Sequence, residues 1–337
     1  MAEEEDHFKN ICFTVGLDPN FLHWFNFHNF PEDIQYHRRT EDWINRFLPQ
    51  RYENIICDPE RTTVNEAELL TAIGFRPNSV ALKTICARVF ILQKHIKLIE
   101  CAQNFIRDEF KYNIDLSGGP FLRFPYELPR LNEWFLREKT QSEEDNKSRS
   151  YSVINVEEIG IIESKILQLS SEETSFRLFH GTDHESAVDI IEGIEIRKGS
   201  QRRDFSDGAG FYLINELEKA IKMAIGNTSR PAVLIYEIPK NLLAKFSRFS
   251  LCDKENEADW KTIVSQFRSG RSNKKLRKSL EKIDFIEGPM ACSYELPPVA
   301  KEGSYQMCAI SENFAEELDN HVHAVAFFDG AKSFLSH

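Results

Sequence analysis

Leu178-Phe179-His180-Gly181-Thr182 is the stretch on which the fold turns. The β-rich run over 175–179 ends in a His-Gly pair, and a helical pattern over 184–192 follows at once and stops at Gly193. Thr182, three residues before Glu185, has the form of a capping box, and Asn215 with Glu218 offers a weaker version for the next helix. Two more β-rich runs, AVLIYEI over 232–238 and AVAFF over 324–328, have helical patterns between them. Strands this short and irregularly spaced do not build a doubly wound parallel sheet, so the C-terminal half reads as a mixed α+β domain.

The residues before it read differently. Over 80–110 the apolar positions Ile85, Val89, Leu92, Ile96 and Ile99 recur at spacings of four and three, which predicts one long amphipathic helix with Asn78 as its cap. A shorter helix over 66–73 is stopped by Gly74, with Pro77 in the turn. The aromatic run FLHWFNFHNF (21–30) reads as packing, with His23 and His28 at polar rims. Between the halves, REKTQSEEDNKSRS (137–150) contains no apolar residue and is the natural linker. The expected organisation is a helical module over 1–136, the linker, and an α+β domain over 151–337.

Charge and cysteines bound the function class. The chain has 42 basic and 53 acidic residues, a net charge of −11, which argues against coating nucleic acid or anionic membrane. Seven scattered cysteines without a CxxC pair read as reduced, buried thiols. The acidic N-terminus has no signal-peptide form, and no apolar run is long enough to span a membrane. The expected location is the cytoplasm, with the nucleus compatible.

Three stretches carry candidate chemistry. His180 at a strand end can offer a ring nitrogen to a sugar hydroxyl, and Gly181, lacking a Cβ, lets the main chain approach a flat ligand. In DFSDGAGFYL (204–213), Gly208 and Gly210 lead into a β run whose Tyr212 can face a planar cationic ring. In SYQMCAI (304–310), Gln306 can close a site from a third side; DFIEGP (284–289) precedes it. The Gly-Ala-Gly is no Rossmann fingerprint, because Leu213 stands where the third glycine belongs. Arg268, Arg271, Lys274, Lys275, Arg277 and Lys278 form a basic run read mainly as a solvated face. His321-Val322-His323 has no further ligand spaced to complete a metal shell, so no metal is expected.

FHGT, GAGFYL and QMCAI, in this order and separation, resemble the His, Tyr and third-position motifs of the ADP-ribosyltransferase superfamily in its diphtheria-toxin and poly(ADP-ribose)-polymerase-like branch. DFSDGAGFYL and DFIEGPMA also look like an uncharacterised family assigned to that fold. The similarity covers about residues 176–318. It implies a split β core with flanking helices around an NAD cleft. By resemblance, His180 bonds a ribose hydroxyl, Gly181 holds the nicotinamide carboxamide through its backbone and Tyr212 stacks on the nicotinamide ring. Thr182, Gly210 and Arg203 complete the NAD-binding set, and Arg197, Lys198 and Arg202 are further candidates for the pyrophosphate.

Active relatives often carry Glu at the third position, where this chain has Gln306. A neutral amide offers a dipole where a carboxylate offers a charge to the oxocarbenium-like transition state, a difference of roughly two to three orders of magnitude in rate. A second carboxylate is therefore expected to help, Glu287 first, then Glu295 or Glu302. Ala220 and Met223 replace a Ser and a second stacking Tyr common in polymerase-type relatives. The implied function is NAD-dependent mono-ADP-ribosyl transfer to a protein side chain. NAD hydrolysis, a catalytically silent NAD-binding or protein-interaction module, and transfer to a nucleic-acid acceptor are the alternatives.

Overall fold

The computed structural model describes residues 9–18, 37–57, 65–92, 98–112, 151–156, 162–167, 169, 174–199, 203–206, 208–270, 274–292 and 297–328. The aromatic run 21–30, the linker 137–150, Arg202 and Glu295 lie outside them.

Among the described residues, the helices before the sheet include α1 (His37–Ile56), α2 (Glu66–Ile73), α3 (Val80–Leu92) and α4 (Leu98–Tyr112). The expected single helix over 80–110 is two helices packed on each other. Both bury their apolar stripes, and a three-four spacing alone does not distinguish one long helix from two that face each other. Asn78 does not cap α3; it adopts a left-handed conformation (φ 61°), which Asn tolerates, and Ser79 Oγ accepts the Leu82 N–H at 3.2 Å. The α2 helix ends as read, at Gly74 with φ 123°.

The α+β reading holds. Eight strands, β1 (Ser152–Val156), β2 (Ser175–Asp183), β3 (Phe211–Ile214), β4 (Pro231–Pro239), β5 (Arg248–Ser250), β6 (Phe285–Gly288), β7 (Gln306–Ala309) and β8 (Val322–Phe328), form one mixed sheet. Their order is β1-β8-β4-β2-β3-β7-β6-β5. Among the described residues, only the β1–β8 and β5–β6 pairs are parallel. The AVLIYEI run becomes the centre of β4, nearly all buried because helices cover both its faces.

The other helices are α5 (Ile162–Leu167), α6 (His184–Glu192), α7 (Leu217–Asn227), α8 (Lys240–Leu243), α9 (Glu257–Arg268), α10 (Lys274–Leu280) and α11 (Glu312–Asp319). The cap of α6 is Asp183, which accepts the Ser186 N–H at 3.0 Å, and not Thr182. Asn215 caps nothing: α7 starts after Glu216, and Asn215 Oδ1 accepts the Tyr305 N–H at 2.8 Å. One sheet face packs on α6, α8 and α11; the other packs on α7 and α9.

The N-terminal helices share the core of that second face. Ile85, Leu92 and Phe105 belong to the same apolar cluster as Phe179, Val233 and Ala326. Arg88, fully buried, donates to Ile225 O at 2.8 and 3.2 Å and to Cys101 O at 3.4 Å, and Asn104 donates to Gly226 O at 3.1 Å. Side chains of α3 and α4 thus satisfy carbonyls at the C-terminal end of α7, which have no partner within their own helix. Asp108 accepts from Thr228 Oγ1, Ser229 N and Ser229 Oγ, closing the same seam.

Candidate functional site

The sheet is nearly cut in two. β2 pairs with β4 at nine positions, but it meets β3 only at Phe179↔Ile214. Beyond that point the ladder stops and His180 takes its place: Nδ1 lies 2.7 Å from the Tyr212 carbonyl, and the imidazole stacks on Phe211 at 4.4 Å. A carbonyl only accepts, so Nδ1 carries the proton. Burial holds the imidazole pKa below its ordinary value, with Arg203 nearby acting in the same direction against the carbonyl bond. The ring is therefore neutral near pH 7, and Nε2 is an acceptor.

Gly181 is next to it on β2. A Cβ there would stand 2.1 Å from Ala220 O, so the glycine lets α7 lie directly on the strand. Ala220 is therefore the backbone that Gly181 must accommodate.

Strand parity sorts the remaining groups. Phe179, Ile214 and Gln306 are partners across β2, β3 and β7, and Tyr212 is partnered by Cys308. Paired residues share a face and neighbours alternate, so Tyr212 and Gln306 lie on one face, while His180 belongs to the other and reaches Tyr212 through its main chain. The Tyr212 hydroxyl accepts the Phe205 N–H at 2.9 Å and lies 3.0 Å from Ser206 Oγ. Burial raises the Tyr212 pKa well above the ordinary phenol value. The loop 203–206 thus folds back over β3, and Gly210 permits it: a Cβ would be 2.7 Å from Cys308 Sγ and 2.9 Å from Ser206 Oγ.

Gln306 is 5% exposed, and Nε2 donates to Asp204 Oδ2 at 2.7 Å and to Pro289 O at 3.1 Å. With both amide hydrogens used, Oε1 is left as an acceptor whose orientation is fixed. Asp204 Oδ1 accepts from Arg268 Nε at 2.7 Å, with Nη2 at 2.6 Å, so a buried ion pair backs the amide. Neither Asp204 nor Arg268 emerges from the sequence reading as a site residue. The available signal was an acid inside the apolar-aromatic DFSDGAGFYL motif, and Arg268 looked like the first member of a solvated basic run.

Glu287 is not beside Gln306. It is the cross-strand partner of Met307, and Gly288 is the partner of Gln306. One residue of register therefore turns the Glu287 carboxylate to the opposite face. There it accepts the Tyr305 hydroxyl at 2.8 Å and lines a cavity of about 600 Å³ with Arg248 and Phe176. Glu302 is exposed on the turn before β7. Arg197 pairs with Glu312 at 2.9 Å, and Lys198 with Glu195 at 3.1 Å and Asp189 at 3.4 Å, all as surface contacts. Of the pyrophosphate candidates among the described residues, only Arg203 lies near His180.

Cys12, Cys101 and Cys308 are buried thiols, whereas Cys57, Cys252 and Cys292 are exposed. No group of three metal-ligating side chains with metal-binding geometry occurs among the described residues. None of their helices is long and apolar enough to cross a membrane.

No curated protein and no solved structure matches the chain. Residues 176–314, the span from β2 into α11 that holds His180, Tyr212, Glu287 and Gln306, match a family model described as "Protein of unknown function (DUF3990)".

Proposed function

We propose that the protein transfers ADP-ribose from NAD to a protein side chain, as a mono-ADP-ribosyltransferase. The observation that carries this reading is the split between β2 and β3, with His180 seated in it and the Tyr212 and Gln306 strands next in order. The acceptors left over there suit a dinucleotide rich in hydroxyls. His180 Nε2 has no hydrogen-bond partner among the described residues, and Gln306 Oε1 is held in place through its own amide hydrogens.

NAD supplies an ADP-ribose whose bond to nicotinamide breaks. His180, kept neutral, accepts a ribose hydroxyl through Nε2, with its ring fixed by the Tyr212 carbonyl and by Phe211. The Gly181 main chain holds an amide, and Arg203 offers its guanidinium to phosphate. Tyr212 forms a wall, anchored by its hydroxyl to the loop 203–206. Gln306 Oε1 accepts a hydroxyl of the sugar at the breaking bond; the Asp204 carboxylate behind the amide adds to the negative end of its dipole. No full negative charge of the protein faces that sugar from β7, so the reaction is slow and modifies once. The site is that of a cytoplasmic or nuclear enzyme.

Incubation with NAD labelled in its adenylate moiety tests the reading. The expected result is free nicotinamide with label on protein, both lost in His180→Ala and Gln306→Leu. Nicotinamide with free labelled ADP-ribose indicates hydrolysis, and label on nucleic acid a different acceptor. The pinning of Gln306 as a neutral amide favours one further reading, a silent NAD-binding module; calorimetric binding of NAD without nicotinamide release would establish it. Absence of both binding and release overturns the proposal.

A further inference from the structure

The cavity that takes Glu287 away from Gln306 lies on the opposite side of the sheet from the Tyr212–Gln306 face, and the NAD reading makes no use of it. Its volume, about 600 Å³, is in the range that holds a nucleotide-sized ligand. At its floor the Glu287 side chain is only 8% exposed. Its Oε2 takes one hydrogen bond, from Tyr305, and its Oε1 has the Arg248 guanidinium at 3.7 Å, beyond hydrogen-bond length. Each carboxylate oxygen can accept two hydrogens, so a buried carboxylate this sparsely bonded calls for a ligand with N–H donors.

The surroundings narrow the ligand further. Phe176 and Tyr305 are nearly parallel, 12° apart with centroids at 6.5 Å, and Phe246 completes an aromatic wall suited to a flat heterocycle. Lys240 Nζ lies 5.4 Å from the Phe176 ring centre, and the Arg248 side chain is 62% exposed. Two cationic side chains, Arg248 and Lys240, line the cavity, and they favour a ligand that also carries phosphate.

We propose that this cavity binds a guanine nucleotide, with Glu287 accepting the adjacent ring N–H and exocyclic amino hydrogens of the base. A carboxylate receives two parallel N–H donors in this way from guanidinium groups. Arg248, beside it, donates to the neighbouring carbonyl oxygen of guanine, a pairing that arginine makes with this base elsewhere. Lys240 faces the phosphate. Adenine presents a ring nitrogen lone pair where guanine presents a hydrogen, and that lone pair would be set against the Glu287 carboxylate. The inference does not rest on the NAD reading: none of the side chains that line this cavity holds NAD in it.

Titration calorimetry of the full chain with GMP, AMP and guanosine tests it. GMP is expected to bind at least about fivefold tighter than AMP, the lower end of what a mismatched donor–acceptor edge removes. Guanosine is expected to bind more weakly than GMP, with the difference shrinking as salt is raised. Glu287→Gln should abolish the preference for GMP over AMP. Arg248→Ala, an exposed substitution that leaves the core intact, should weaken GMP binding whether or not Glu287→Gln folds. Cys252 also lines the cavity, so GMP should slow its alkylation while AMP does not. Equal affinity for GMP and AMP, no binding of GMP, or GMP affinity unchanged in Arg248→Ala overturns the proposal.

Discussion

Gln306→Glu introduces a carboxylate at the head of β7, yet the structure predicts a destabilised protein with no added charge. In the native site Gln306 Nε2 donates to Asp204 Oδ2 at 2.7 Å and to Pro289 O at 3.1 Å. Gln306→Glu puts an acceptor oxygen against both. Two carboxylates at that separation repel by about 6 kcal/mol at an effective dielectric of about 20. The cheaper course is for one of them to keep a proton, which at pH 7 costs about 4 kcal/mol for a glutamate with an ordinary pKa of about 4.3. That figure is a ceiling, because Arg268 on the far oxygen of Asp204 offsets part of it.

The folded-state pKa of the pair is raised, so the deficit grows with pH and shrinks by about 1.4 kcal/mol for each unit that pH falls toward the unfolded value. Urea denaturation of the wild type and Gln306→Glu should show a gap of up to about 4 kcal/mol at pH 7 and about half that or less at pH 5.5. Adding Asp204→Asn should recover most of the loss by restoring an acid–amide pair in the reverse sense. Nicotinamide release should not rise in the single variant at pH 7, because the new group is protonated. A variant within about 1 kcal/mol of wild type at pH 7, or a deficit independent of pH, would refute the reasoning.

Three other outcomes follow from the packing. Arg88→Ala removes the bonds to Ile225 O and Cys101 O and should cost about 1–3 kcal/mol for each carbonyl left unpaired; the wild-type chain should unfold in a single transition, and separate transitions for the N-terminal helices and the sheet would contradict the shared core. Gly181→Ala places a Cβ 2.1 Å from Ala220 O, forcing α7 off β2, and should lower stability by about 1–3 kcal/mol or more, read as a fall in Tm. His184 is fully buried, its Nε2 shared between Pro231 O and Phe328 O at 3.1 Å each, and burial lowers its pKa to about 3, with Arg230 adding to the effect. The unfolded chain binds this proton near pH 6.5, so stability should fall as pH drops below about 6.5, by about 1.4 kcal/mol per unit from this residue, and His184→Gln should flatten that slope between pH 6.5 and 5.

Several features were legible in the chain alone because they depend on near neighbours. The runs that became β2, β4 and β8 stood out through β-branched and aromatic content, and Gly74 and Gly193 marked helix ends through local backbone geometry. The α+β class followed from those elements. The strand β3 was marked by the aromatic run after Gly210, whereas β5 and β6, of three and four residues, are too short for periodicity to reveal them. Capping was misassigned by one residue at Asn78 and Thr182, since Ser79 and Asp183 are equally capable caps and only the backbone dihedrals choose between neighbours.

The candidate site divides along the same line. The order of the His180, Gly181, Tyr212 and Gln306 motifs could be read from the sequence, and each is carried by a strand of the split sheet. Which face each side chain takes could not, because alternation within a strand fixes only relative parity. The absolute face comes from register between strands far apart in the chain: Gly288 meets Gln306, so Glu287 turns away to a separate cavity. Asp204 and Arg268, 64 positions apart, became neighbours only when α9 packed over β3 and β7, and burial then made their charges depend on each other. The sequence determined the elements and the chemical groups they carry; tertiary packing decided which of those groups share a space, because register and burial are non-local.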